Sequence, residues 1–186
     1  VGAKAIIPCD VSDDASMDAA FAELEKTFGT IDFVVHSVAF ANKNELQGSF
    51  VDNTTRDSFL LAMNISVFSF VDVAKRSAKL MPNGGSMITL TYLGSERVIP
   101  NYNTMGVAKA GLEAATRYIA RDLGPKNIRV NAISAGAMRT LSLAGISGGR
   151  GLHSKSAQFS MIKEETSMEG VAGAALWLTS DLGRST

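Results

Sequence analysis

A doubly wound α/β fold, in which a parallel sheet carries helices on both faces, is what this sequence predicts. Three features point there. Short apolar runs alternate along the chain with longer stretches of helical period. The runs are continuous rather than alternating in polarity, the mark of strands buried on both sides. Finally, 186 residues with 46% hydrophobic content suffice for one packed core, and no repeat or linker divides them. The expected organisation is a single domain over 1–186.

Ala5 to Pro8 reads as the first strand. Ser12 is the expected N-cap of the helix that follows, with Asp13 and Asp14 at its positive end. Met17, Phe21, Leu24 and Phe28 recur at helical spacing, and Gly29 is a natural stop. Phe33 to Val35 is the next strand, followed by a polar loop from Ala39 to about Asn53. A long helical pattern from Thr54 to Met81 carries Phe59, Met63, Val67, Phe70, Val71 and Ala74. It ends at Pro82-Asn83-Gly84-Gly85. Met87 to Thr91 is a third strand, and a second long helix runs from about Asn101 to Gly124-Pro125. Ile128 to Ile133, rich in β-branched residues, is a fourth strand. A glycine-rich, weakly patterned stretch spans Gly136 to Gly151, and a last helix covers about Ser167 to Ser180.

A doubly wound sheet ordinarily opens with a strand, a glycine-rich phosphate turn and a helix. No G-x-G-x-x-G precedes the first run here, and the chain stops at Leu182-Gly183-Arg184, directly after a helix. The expectation is a sheet truncated at both ends, without its first strand, glycine turn and helix and without its last strand.

Composition narrows the function classes. Lys plus Arg is 18 and Asp plus Glu is 18, so the net charge is zero. That balance argues against a nucleic-acid or anionic-membrane partner, either of which calls for a basic excess. The single cysteine, Cys9, allows no intrachain disulfide and reads as a small buried residue. His36 and His153 are too few and too far apart for a histidine metal site, and His36 at a strand end reads as structural. No uninterrupted apolar run approaches the ~20 residues of a membrane span. A cytoplasmic protein is the expectation.

The segment from Tyr92 to Lys109 is where chemistry is expected. It leaves a buried strand for a loop and a helix, on the sheet edge where ligands bind in such folds. Tyr102 and Lys109 are seven residues apart, close to two helical turns, so both side chains share one face roughly 10 Å apart along the axis. A nearby ammonium favours the phenolate and makes the hydroxyl a better acid, which suits proton donation to a developing oxyanion. The same spacing also fits a core-edge ring and a solvated amine, and spacing alone leaves both open.

The run YNTMGVAKAGLEAATRYIARDLGPKNIRVNAISAGAMRT, from Tyr102 to Thr140, resembles the core of the short-chain dehydrogenase/reductase superfamily. More narrowly, the chain is similar to the NADH-dependent enoyl-[acyl-carrier-protein] reductases. That likeness runs from Cys9-Asp10-Val11 through Val35-His36-Ser37-Val38-Ala39-Phe40-Ala41 and Tyr92-Leu93-Gly94 to Ser180-Asp181-Leu182. The wider superfamily uses Tyr-x-x-x-Lys with a serine about thirteen residues before the tyrosine. Here Met105 stands at that tyrosine position and Tyr92 at the serine position. Tyr102 gives the six-residue gap that marks the enoyl reductases.

The resemblance implies a Rossmann-like fold and hydride transfer from NADH to the β-carbon of an enoyl thioester on acyl carrier protein, in fatty-acid biosynthesis. NADPH is left open, because the second strand that sets the preference is absent from the chain. It implies that Tyr102 stabilises the enolate oxygen, that Tyr92 lines the acyl site and that Lys109 binds the nicotinamide ribose. Cofactor contacts carry over to Asp10, Val11, Ser37, Val38, Ala39, Met138, Arg139, Thr140, Leu141 and Ser142, and a substrate contact to Ala41. Asp10 fits a helix cap equally well. Residues 145–159 match a substrate lid or a plain surface loop, and Asn64 matches the superfamily's helix asparagine. Tyr118 reads as a packing residue. Arg139, Arg150, Lys155 and Lys163 are candidates for docking the acidic carrier protein, and helices 54–81 and 102–123 for the faces of a homotetramer. Two alternatives remain: an inert dinucleotide-binding or interaction module, and a carbonyl reductase of the same superfamily, which Met105 disfavours.

Overall fold

Three strands form the frame: β1 (Phe33–His36), β2 (Gly85–Thr91) and β3 (Ile128–Ser134). The computed structural model describes residues 2–138, 140, 151 and 156–186. The strands are parallel and lie in the order β1-β2-β3, with Phe33 opposite Ser86, His36 opposite Thr89 and Thr91 opposite Ser134. Their carboxyl ends therefore finish on one edge.

Helix α1 (Asp14–Phe28) begins one residue later than expected. Asp13 is the N-cap, its carboxylate accepting the Ser16 N–H at 3.0 Å. Ser12 instead donates its N–H and hydroxyl to Asp10 Oδ1 at 2.9 and 2.7 Å. A carboxylate accepts from the first turn and answers the helix dipole at once, so Asp13 displaces the hydroxyl. Gly29, at φ 71°, closes the helix by donating to the Glu25 carbonyl.

The expected long helix after β1 is continuous but not uniform. After a short helix α2 (Phe50–Asn53), inside what reads in sequence as a loop, α3 (Arg56–Met63) starts on the Thr55 cap. It passes through one π turn (Asn64–Phe68) into α4 (Ser69–Ser77). By length and composition alone, the run Arg56–Leu80 would suffice to cross a membrane. Its buried side chains, among them Ala62, Ser66, Phe70 and Ala74, belong to an interior packing face. Helix α5 (Asn103–Leu123) joins β2 to β3, and α6 (Met168–Thr179), capped by Ser167, follows later.

Alternation along the strands assigns the two faces. Met87, Ile128 and Val130 pack with Phe70, Ala74, Leu112 and Ile119 from α4 and α5, the main core. On the opposite face, Ser86 Oγ and Arg129 both donate to the Leu178 carbonyl of α6, at 2.9 and 2.7 Å. Arg129 also reaches the Ser180 and Gly183 carbonyls. One guanidinium thus satisfies the carbonyls that a helix end leaves unpaired.

Four expectations are corrected. Ala5 to Pro8 forms no strand, because a strand exists only through a partner's ladder and none flanks this segment among the described residues; Ile6 is 93% exposed. Strand β1 is not buried on both faces: α6 covers β2 and β3, leaving Phe33 and Val35 exposed. Cys9 is exposed rather than buried, its thiol donating to Met17 Sδ at 3.3 Å. Tyr118 is no packing residue in this chain, since it lies on the outward side of α5.

Candidate active site

Tyr92 is the first residue beyond β2. Its backbone is extended, and its carbonyl accepts the Ser95 N–H at 2.9 Å to start a single 3-10 turn over Leu93–Ser95. The strand thus delivers the Tyr92 ring to the carboxyl edge of the sheet. Tyr102 stands at the N-cap of α5, its N–H on the Ile99 carbonyl and its own carbonyl on the Met105 N–H. The two rings meet edge to face, with centroids 5.1 Å apart and planes at 73°. Leu46 and Met105 pack on Tyr102, with Ala41 and Ile99 at the margin. Met105, at the superfamily's tyrosine position, is therefore part of the apolar floor.

Two of these neighbours escaped the sequence reading. Leu46 lies on a loop far from Tyr102 in sequence, and no local signal announces it. Gly94 left a trace, as a glycine three residues after a strand. A Cβ there would lie 2.7 Å from Cε1 of Tyr102, so the turn passes this close to the ring only as glycine.

Lys109, two turns into α5, is buried, and its Nζ donates to the Leu90 carbonyl at 2.6 Å. Leu90 is two residues before Tyr92, so the ammonium and both tyrosines gather at one strand end. Next to it, Thr91 donates to Glu113 at 2.6 Å. Burial pulls the Lys109 ammonium down to about 8, with Glu113 opposing.

The expectation that Lys109 would acidify Tyr102 is overturned. Burial, reinforced by Tyr92, pushes the Tyr102 phenol up, and burial raises Tyr92 as well. The ring is desolvated by Leu46, Met105 and Tyr92, while the ammonium is committed to Leu90. Tyr102 consequently remains a protonated hydrogen-bond donor throughout the neutral range.

His36 ends β1 beneath this site. Ser69 Oγ donates to the Ile65 carbonyl at 2.6 Å and so accepts from His36 Nε2 at 2.9 Å; Nδ1 lies 3.0 Å from Thr89 Oγ1, a hydroxyl that also has the His36 carbonyl as an acceptor at 3.3 Å. Burial, not the hydrogen bonds, decides the charge of this ring. Burial, with Lys109 adding to it, lowers the ring to about 4 from an ordinary 6.5. The unfolded chain therefore binds the extra proton between those values. The associated stability is present above pH 6.5 and is lost as the pH falls through 4. Urea unfolding is expected to show the parent losing about 3 kcal/mol more than His36→Gln between pH 7 and pH 4. Equal losses in the two proteins would refute the neutral-ring assignment.

Asp10 is exposed, and its hydrogen bonds from Ser12 hold its carboxyl below the usual range. It does not cap α1. Val11 is half-buried, and Ser37, Val38 and Ala39 are exposed as the chain leaves β1. Met138 is half-buried, and its carbonyl accepts the Thr140 N–H at 2.8 Å. Asn64 opens the π turn, its carbonyl accepting the Ser69 N–H. Arg139, Leu141, Ser142, Arg150, Lys155 and most of the expected lid at 145–159 lie outside the described residues.

Comparison with known proteins adds an independent line. The family model described as "Enoyl-(Acyl carrier protein) reductase" matches residues 1–186. An "Enoyl-[acyl-carrier-protein] reductase [NADH] 2" from Rhizobium meliloti is 52% identical over 99% of this chain and 68% of its own length. The crystal structure of FabI from Candidatus Liberibacter asiaticus superposes with a TM-score of 0.96 at 49% identity, over 100% of this chain and 71% of that one. An enoyl-(acyl-carrier-protein) reductase from Anaplasma phagocytophilum, solved in complex with NAD, gives a TM-score of 0.93 at 49% identity. It is matched over 100% of this chain and 68% of that one.

Proposed function

The chain belongs to the enoyl-[acyl-carrier-protein] reductase family, and from this we infer how its own residues reduce the carbon–carbon double bond of an enoyl thioester in fatty-acid biosynthesis. The observation that carries the inference is the convergence of Tyr92, Tyr102 and Lys109 at the carboxyl end of one strand. When bound, NADH supplies the hydride that the β-carbon accepts. Tyr102 meets the negative charge that then develops on the thioester oxygen. Its phenol, protonated because it is buried, donates a hydrogen bond that strengthens as that charge grows. Tyr92 lies against it and borders the acyl chain together with Ala41.

The donor set at Lys109 suits a dinucleotide. One of three ammonium N–H groups is on Leu90, which leaves two for a pair of ribose hydroxyls. Lys109 would hold the nicotinamide ribose. Asp10 and Val11 would hold the adenine, and Ser37, Val38 and Ala39 the adenosine ribose. Met138 to Ser142, including Arg139, Thr140 and Leu141, would hold the nicotinamide and pyrophosphate. The whole chain would act as one nucleotide-binding domain, working in the cytoplasm, with Lys163 among the cations available to an acidic carrier protein.

The reading is tested with the intact enzyme by following NADH absorbance. Oxidation that requires an enoyl thioester is expected. Oxidation driven instead by a ketoacyl substrate would overturn it. A homotetramer is the proposed assembly, because the apolar Leu60, Phe68, Val71, Val107 and Tyr118 stand exposed along α3, the π turn, α4 and α5. Sedimentation at micromolar concentration should show four chains; a monomer alone would refute it.

A further inference from the structure

Two asparagines flank Tyr102, and both have left-handed backbones, with φ 66° at Asn101 and 39° at Asn103. Asparagine enters this region more readily than most residues that carry a side chain, because its short amide can hydrogen-bond locally. Both amides reach the same loop, the segment between β1 and α2. Asn103 Nδ2 donates to the Glu45 carbonyl at 2.9 Å, with the Gly48 and Gln47 carbonyls at 3.3 and 3.4 Å. From the other side, Asn101 Oδ1 accepts the Gly48 N–H at 3.0 Å.

The loop held in this way reaches the tyrosine through Leu46, which shares one buried apolar cluster with Tyr102 and Met105. Its far end is also tied down. Glu45 is buried, and its Oε1 accepts the Thr55 N–H at 3.3 Å; Asn53 donates to the Gln47 carbonyl at 2.7 Å; and the Thr54 and Thr104 hydroxyls are 3.4 Å apart. The ring therefore meets Gly94 and Tyr92 and shares its cluster with a loop strapped to its own flanking residues.

We propose that Asn101 and Asn103 are positioning residues for the enoyl reduction: their side chains clamp residues 45–48 so that Leu46 sets the place of the Tyr102 hydroxyl. The proposal rests on the reading of Tyr102 given above and adds to it. Neither amide acts on the reacting atoms. Both act through the tyrosine, so their loss costs turnover rather than cofactor affinity, since a small displacement of a reacting group lowers rates steeply.

The test uses the intact enzyme with Asn101→Gly and Asn103→Gly, which permit the left-handed backbone and remove the side chain that makes the clamp. The double variant should lose roughly 10- to 100-fold in kcat, with the KM for NADH within about twofold of the parent. Asn101→Asp keeps the acceptor oxygen and should retain parental kcat, whereas Asn103→Asp loses its donor and should not. In hydrogen exchange, the Gly48 amide should open about tenfold faster in Asn101→Gly and at the parental rate in Asn101→Asp. Tyr102→Phe serves as the control. Parental turnover in that control would overturn the reading of the site. Parental kcat in the double glycine variant beside an impaired Tyr102→Phe, or unchanged Gly48 exchange in Asn101→Gly, would overturn the clamp alone.

Discussion

Tyr102→Phe is expected to lower kcat by about 10²- to 10³-fold, the usual cost of one donor at a developing oxyanion, while the KM for NADH stays near the parental value. The phenylalanine ring keeps the edge-to-face contact with Tyr92, the packing of Leu46 and Met105 and the close approach of Gly94. Only the hydroxyl is lost, so the thermal midpoint should barely move. A fall in kcat and kcat/KM together, without a change in cofactor affinity, identifies an interaction made in the transition state. Single-turnover kinetics with saturating NADH measure it directly, and a variant with undiminished hydride transfer would remove Tyr102 from the mechanism. Because burial raises the phenol, deprotonation of Tyr102 should not limit activity anywhere between pH 6 and pH 9, which a kcat profile checks.

Lys109→Met should act in two directions. Activity falls because the ammonium proposed to hold the ribose is gone, and the KM for NADH should rise by at least 10²-fold, in line with the roughly 3 kcal/mol or more of losing a buried charged contact. Stability should rise. The Lys109 ammonium sits at about 8 against an ordinary 10.5, so the unfolded chain binds the extra proton between those values. The parent consequently carries a penalty below pH 8 that disappears as the pH climbs past 10.5. Methionine removes that penalty. After allowing for the partner lost by the Leu90 carbonyl, a gain of about 1–2 kcal/mol at pH 7 is expected in urea unfolding. In the parent, NADH affinity should weaken as the pH passes about 8 and Lys109 loses its proton. A destabilised Lys109→Met, or cofactor affinity flat from pH 7 to pH 9, would contradict the account. Active sites commonly reduce the stability of the fold that holds them, and Lys109 is where this one is expected to do so.

Much of the fold was legible because its signals are local. The helical period of Met17, Phe21, Leu24 and Phe28 and the stop at Gly29 match α1. Met87 to Thr91 and Ile128 to Ile133 fall within β2 and β3, and Ser167 and Ser180 bracket α6. Local signals failed where two candidates competed or where a distant partner decided. Asp13 prevailed over Ser12 as a cap. Ala5 to Pro8 has apolar residues but no neighbouring strand. The cofactor contacts other than Lys109, from Asp10 and Val11 to Met138–Ser142, were marked by resemblance alone, and Arg139, Leu141 and Ser142 among them lie outside the described residues. The π turn at Asn64–Phe68 had no sequence mark, since one extra residue in a helical ring leaves the apolar pattern almost unchanged.

The linear order of residues was enough to establish the parallel α/β class, the ordering of its elements and the family, since periodicity, caps and a long ordered motif are written in consecutive positions. It was also enough to single out Tyr92, Tyr102 and Lys109. What the folded chain alone decided was their electrostatic condition and their surroundings. The spacing suggested that Lys109 would acidify Tyr102; packing against Leu46 and Met105 instead dries the phenol and raises it, while the ammonium turns to Leu90. Desolvation depends on everything within a few ångströms, and those neighbours come from loops and strands that lie far apart along the chain.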